Sequence, residues 1–190
     1  MIYALFLLAT SLTAAVAKKA SYTFYPPKAE PFLTIDFTVG WPVNVTTPNA
    51  IVASIPNAGG PVNGHLQGNI IANLTGATET VLKSTGAEYT NYQNHYVFAD
   101  KSGNNFLVKM AGIARYANLD IHGFAHVTIE TGAPGLEWIN YAMFVGEWNG
   151  GMDSGTGIAK LEIFHITTGG RRDGKCIKAL EPELPCHKSY

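Results

Sequence analysis

Charge is sparse in this chain: 14% of its 190 residues are Asp, Glu, Lys or Arg, and the formal net charge is -1. Phosphate backbones and anionic lipid surfaces are held by clustered cations, so neither nucleic acid nor a charged membrane is an expected partner. Cysteine is equally scarce, with Cys176 and Cys186 the only two. Their Cys-x9-Cys spacing, with His187 alongside, does not match a zinc finger. No segment sustains helical periodicity over three turns, which excludes a bundle or a helix-rich α/β fold. Catalytic signatures are missing too. There is no His-Glu-x-x-His pair, and Ser21, Ser54, Ser84, Ser102 and Ser154 lack the context of a nucleophile elbow. The glycine-rich Gly150–Gly157 leads into no helix and so cradles no phosphate.

Long apolar runs are absent except at the start. Ile2 to Val16 is too short to cross a bilayer, and Ala15-Val16-Ala17 fits a small-x-small cleavage site. Residues 1–17 read as a signal peptide. The mature chain is therefore expected in the secretory pathway, secreted or vacuolar, with no membrane attachment after cleavage. Asn44-Val45-Thr46 and Asn73-Leu74-Thr75 are N-glycosylation acceptors without a middle proline. In an oxidising compartment Cys176 and Cys186 would close one disulfide across the tail, residues 169–190. Intact mass of the protein secreted from a eukaryotic host, before and after deglycosylation and reduction, should show cleavage after Ala17, two glycans and one disulfide. Retained Met1 with two free thiols would overturn the compartment.

What the chain does have is glycine, 20 residues, and proline, 10, spread as punctuation between short alternating segments. Leu33, Ile35, Phe37 and Val39 alternate with Thr34, Asp36 and Thr38 over Phe32 to Val39. Further strands are predicted over 50–55, 65–74, 79–85, 94–99, 105–111, 122–131, 138–147 and 158–167. Asn57-Ala-Gly-Gly-Pro61 is expected to turn the chain, and Asp100-Lys-Ser-Gly-Asn104 to make a hairpin. Up to nine strands at hairpin spacing imply an antiparallel barrel or sandwich.

Gly59-Gly-Pro-Val-Asn-Gly64, Asp100-x-x-Gly103, Thr131-Gly132, Trp138-Ile-Asn140 and Phe144-Val-Gly146 resemble the family known as domain of unknown function 3237. The resemblance covers Phe32 to Thr167. It implies an all-β, closed or nearly closed antiparallel β-barrel of about eight to nine strands, lipocalin-like, with a central ligand cavity. The expected layout is a signal peptide at 1–17, an extension at 18–31, the barrel at 32–168 and the clipped tail at 169–190. The family carries no uniform activity. Its secreted fungal members are associated with natural-product gene clusters. Some relatives are similar to hetero-Diels–Alder catalysts that join a tropolone quinone methide to a humulene-type sesquiterpene.

Candidate site residues follow from strand parity, since residues two apart share a face. His122, Phe124, His126, Thr128 and Glu130 form one row, either a solvent-facing polar stripe or a pocket wall. Same-face neighbours lie roughly 6–7 Å apart, wide for shared metal ligation, so no metal is expected. Trp138, Asn140, Phe144 and Trp148 form another row, with Ala142 and Gly146 leaving room between them; Tyr141 and Met143 lie on the opposite face. Tyr89, Tyr92, Tyr96 and Phe98 read as a rim or lid, and Met110 joins Tyr96 and Phe98 in the expected substrate wall. Lys109 and Arg115-Tyr116 could supply hydrogen-bond donors to a carbonyl or phenolate, with exposed, solvated charge the default reading. A glycan on Asn73 would put Asn69, Gln67 and His65 outside, and Leu66, Ile70, Ala72 and Leu74 inside.

The function expected from these residues and that resemblance is a cofactor-free cyclase (pericyclase) of fungal natural-product biosynthesis acting on apolar, oxygen-bearing small molecules. Orientation and a few hydrogen bonds suffice for such a reaction. Asn140, His122, His126 and Tyr141 are the expected polar contacts, with Trp138, Phe144, Trp148 and Phe124 shaping the substrate. An intermolecular hetero-Diels–Alder reaction is the most concrete form. The alternatives are a secreted lipocalin-like carrier or effector without turnover and, last, a hydrolase or isomerase using the His122/His126/Glu130 row. Oligomeric state is left open.

Overall fold

The computed structural model describes residues 22–151 and 157–180. Ten strands run in chain order: β1 (Lys28–Val39), β2 (Val43–Thr46), β3 (Ala50–Gly64), β4 (Gly68–Ile70), β5 (Gly76–Leu82), β6 (Tyr89–Asp100), β7 (Asn105–Ala117), β8 (Asp120–Thr131), β9 (Met143–Gly151) and β10 (Gly157–Thr167). All pair antiparallel in one sheet ordered β1-β10-β9-β8-β7-β6-β4-β3-β2, with β5 joining β3 to β6. Pairing of β1 with β3, from Leu33↔Gly64 to Val39↔Asn57, closes the ring. The barrel occupies the unit Pro26–Gly169. Closure removes most of the open edges that would otherwise pair with other chains, leaving β2 paired on one side only among the described residues.

β3 makes closure possible by changing partners halfway. Its first half pairs with β2 and β5, its second with β1 and β4. The bend between them falls on Gly59 and Gly60, at φ 124° and 139°. A Cβ on Gly60 would sit 1.9 Å from the Asp36 carbonyl oxygen, so only glycine permits this approach. The expected turn at Asn57–Pro61 is thus a bend inside one long strand.

Other boundaries differ from the sequence reading: β5 covers Gly76–Leu82 rather than 79–85, with Lys83–Thr85 a 3₁₀ turn, and β6 and β7 are longer than expected. β1 starts at Lys28 and takes in the end of the expected extension. The strand expected over 65–74 shrinks to Gly68–Ile70, because the chain turns at Asn73 with φ 58°; Leu66 and Ile70 are buried as expected, but Ala72 and Leu74 are exposed. The strand expected from Trp138 begins only at Met143, since Glu137–Tyr141 forms a 3₁₀ turn. β2 was not expected.

Inside the barrel, one end is filled and the other is not. Phe98 and Phe106 stack at 4.6 Å, and Phe32 meets Phe144 at 4.8 Å. Ile129, Ile139, Ile163 and Leu33 fill the remaining space at that end, each almost fully buried. Each large apolar side chain so buried contributes on the order of 1.5–3 kcal/mol. Towards the far end the inward side chains leave the interior unfilled, and a cavity opens.

The second unit is described over Tyr22–Tyr25 and Gly170–Leu180. Tyr25 donates to the Gly170 carbonyl at 2.9 Å, and the Arg172 guanidinium lies 4.8 Å from the Tyr25 ring centre. Arg171 grips Asp173 through two bonds of 2.8 and 2.6 Å, which hold that carboxyl well below the usual range. Cys176 is disulfide-bonded. Cys186 and the cleavage site expected after Ala17 lie outside the described residues.

Candidate functional site

The hollow end of the barrel holds a cavity of about 350 Å³. Its wall is mostly aliphatic and aromatic, with Phe37, Ile55, Met110, Trp148 and Leu161 among the lining side chains. The mouth lies where Trp41 and Ile158 reach solvent, 69% and 62% exposed. Asn44, one of the two glycosylation acceptors, stands on β2 at the same mouth. Asn73 is exposed on its turn.

One carboxyl enters this apolar space. On β5, Ala77, Glu79 and Val81 face the cavity while Thr78 and Thr80 face away. Glu79 is only 5% exposed. Burial raises its pKa, and a hydrogen bond donated by the Tyr116 hydroxyl to Glu79 Oε2 works in the opposite direction. Tyr116 itself is pushed up, first by burial and then by the neighbouring carboxylate, so its hydroxyl keeps its proton. The pair is a carboxyl group that burial makes hold its proton more tightly than in water, steadied by a phenol that donates to it.

Beside the pair lies a polar row on β6. Tyr92 is the direct cross-strand partner of Glu79, and Asn94 that of Ala77. The Tyr92 ring packs 4.6 Å from the Trp148 indole, and the indole occupies the space over Gly123 that any larger residue would take. Asn94 Nδ2 donates to the Tyr92 hydroxyl at 2.9 Å, and Asn57 Nδ2 donates to Asn94 Oδ1 at 2.9 Å. Burial pushes up the Tyr92 phenol and that of the fully buried Tyr96.

Of the residues expected from sequence, Trp148 and Met110 line the cavity. Tyr96, Phe98 and Phe144 are fully buried, and the cavity wall does not include them. His122, Phe124 and His126 face outward, because the inward parity of β8 belongs to Gly123, Ala125, Val127 and Ile129. There His122 Nε2 meets Glu147 Oε1 at 2.8 Å, and Lys109 pairs with Glu130 at 2.6 Å. Trp138, Asn140 and Tyr141 ride on the 3₁₀ turn rather than on a strand, so parity with Phe144 does not extend to them. Asn140 accepts from the Thr131 amide at 2.8 Å and donates to the Thr131 and Glu137 carbonyls. Its polar atoms therefore clamp the turn to the end of β8. Tyr141 is 89% exposed.

Glu79, Tyr116, Asn94 and Asn57 were not expected as site residues. A signal for Glu79 existed: Ala77-Thr-Glu-Thr-Val81 places a carboxylate between two apolar residues on the face that alternation turns inward. Tyr116 was hidden by its neighbour Arg115, which faces outward towards Glu88. Among the described residues no group of three or more His, Cys, Asp or Glu could hold a metal ion.

The model of the family described as protein of unknown function (DUF3237) matches residues 27–166. Solved structures share the architecture. A conserved protein of unknown function from Rhodopseudomonas palustris is 18% identical, with a TM-score of 0.66 over 75% of this chain and 99% of its own. A β-barrel-like protein from Acinetobacter baumannii is 17% identical, with a TM-score of 0.63 over 77% and 100%. An enzyme from Penicillium herquei is 19% identical, with a TM-score of 0.55 over 78% and 100%. At such identities the likeness is one of fold. No curated protein matches the chain.

Proposed function

The chain belongs to the DUF3237 family of β-barrel proteins, and from that footing we propose that it is a cofactor-independent cyclase for apolar, oxygen-bearing small molecules of secondary metabolism. The observation that carries this reading is Glu79, a nearly buried carboxyl in an apolar cavity, bonded to Tyr116. Such a group is costly to bury without a task, and its raised pKa suits it to take and return one proton. In the proposed step an acidic hydrogen passes from the substrate to the Glu79 carboxylate. The electron pair left behind forms the new ring bond at an electrophilic carbon of the same molecule. The proton then returns from Glu79 to the atom that has gained charge, so nothing is consumed but the substrate.

The hetero-Diels–Alder reaction implied by resemblance moves no proton. It would use the cavity for orientation and protonated Glu79 only as a hydrogen-bond donor. The secretory route expected from residues 1–17 is compatible with either chemistry. A carrier without turnover is favoured by a different observation, the mainly apolar wall opening at Trp41.

Deuterium exchange into 2-tetralone, an apolar carbon acid, separates the proton-transfer reading from the other two. The protein in D₂O is expected to accelerate exchange at the activated carbon by about 10²-fold or more over buffer, the usual scale of a positioned acid–base group. EDTA should not change the rate. Exchange at the buffer rate with 2-tetralone bound would leave a cycloaddition catalyst or a carrier, and loss to EDTA with recovery on adding zinc would replace Glu79 by a metal mechanism.

A further inference from the structure

We propose that Tyr92 is the group that holds the substrate's oxygen, and that the substrate is accordingly a flat, largely apolar ketone or phenol whose oxygen gains negative charge during the reaction. This rests on the proton-transfer reading of Glu79 and adds the second half of that site. Asn57 and Asn94 are positioning residues that act through Tyr92.

The argument is one of hydrogen-bond direction. Asn57 Nδ2 donates to the His95 backbone carbonyl at 3.0 Å. A carbonyl can only accept, so the Asn57 amide has one orientation. Nδ2 is also the atom facing Asn94, at 2.9 Å from its Oδ1. Asn94 must therefore present its own Nδ2 to Tyr92, where it donates to the hydroxyl oxygen at 2.9 Å. Each orientation follows from the one before, starting at a main-chain atom that cannot rotate.

The consequence falls on the Tyr92 proton. Asn94 occupies an acceptor position on the phenol oxygen, so the O–H is left to donate elsewhere. No acceptor for it is found among the described residues. The Tyr92 side chain is 8% exposed, lines the cavity and stands directly across from Glu79. A ligand oxygen accepting from Tyr92 would bring its adjacent acidic hydrogen towards the Glu79 carboxyl. The Trp148 indole behind the Tyr92 ring fixes the donor's angle. An anionic oxygen is what such a donor stabilises most, since hydrogen bonds to charged acceptors are about twice as strong as neutral ones.

The test compares 2-naphthol with naphthalene, two probes of one shape of which only the first has an oxygen, by titration against the full mature protein. The expected result is that 2-naphthol binds about tenfold or more tightly, and that Tyr92→Phe brings the two affinities within about twofold while leaving that of naphthalene unchanged. Asn94→Leu should also reduce the preference. It should raise the pH at which bound 2-naphthol ionises, read from naphtholate fluorescence, which a merely structural role would not do. An oxygen preference that survives Tyr92→Phe overturns the assignment, as does no preference in the wild type. Glu79→Gln should abolish exchange into 2-tetralone yet keep the Tyr92-dependent preference. Exchange unaffected by Glu79→Gln would defeat the proton-transfer reading and not the oxygen site.

Discussion

Replacing Glu79 with glutamine is expected to slow proton exchange into an apolar carbon acid by about 10²- to 10⁴-fold while leaving the barrel folded. Glutamine keeps the length of the side chain and can still accept from Tyr116, so the wall of the cavity survives. What it cannot do is hold a proton. Tyr116→Phe should cost less, because it removes the hydrogen bond that lowers the Glu79 pKa and leaves burial to raise it unopposed. The rate of that variant should then rise to its plateau at a higher pH than in the wild type. A Glu79→Gln variant that exchanges at the wild-type rate would show that the carboxyl is a structural remnant.

The same carboxyl should make stability depend on pH, and the sign follows from its raised pKa. The unfolded chain ionises Glu79 near the ordinary value of 4.5, whereas the folded protein holds the proton to higher pH. Below 4.5 neither state is charged and the full stability is present; as pH rises through the folded pKa that contribution is lost. Tyr116 and Tyr92, the groups that face Glu79 from the neighbouring strands, keep their protons throughout because both are pushed upward. Glu79→Gln should therefore melt higher than the wild type in neutral buffer, with the gain vanishing towards pH 4. An enzyme group held against its own stability is the usual arrangement at a working site.

The strands from β6 to β8 were legible in the sequence because alternation, a glycine-bearing hairpin and a solvated outer face all agree there. The alternation of Tyr92, Asn94, Tyr96 and Phe98 on β6 is present in the sequence, yet its aromatic members suggest a rim or lid and Asn94 has no role until the cavity is seen. The 3₁₀ turn at Glu137–Tyr141 was not legible. Its aromatic content mimics a strand, and the Asn140 clamp that defines it depends on Thr131. In the sequence β3 looks like a strand and a turn because Gly59 and Gly60 punctuate it, whereas the physical need is a close approach to β1. Glu79 was missed for another reason. A lone glutamate in an alternating strand normally faces water, and only the closure of the ring shows that its face has no water to reach.

Phe144→Ala should separate the two ends of the barrel. Phe144 is fully buried at the filled end, 4.8 Å from the Phe32 ring and 5.3 Å from His165. Truncating a buried phenylalanine costs about 3–5 kcal/mol, or roughly 6–20 °C in melting temperature for a domain of this size. Trp138→Ala, on the half-exposed edge of the same cluster, should cost much less. Neither residue lines the cavity, so naphthalene should bind both folded variants as it binds the wild type. Trp148→Ala, which removes part of the wall, should weaken that binding. The decisive contrast is between stability and affinity. If Phe144→Ala loses ligand but keeps its melting temperature, the binding site lies among the aromatics of the filled end, and Glu79 faces a space that no substrate enters.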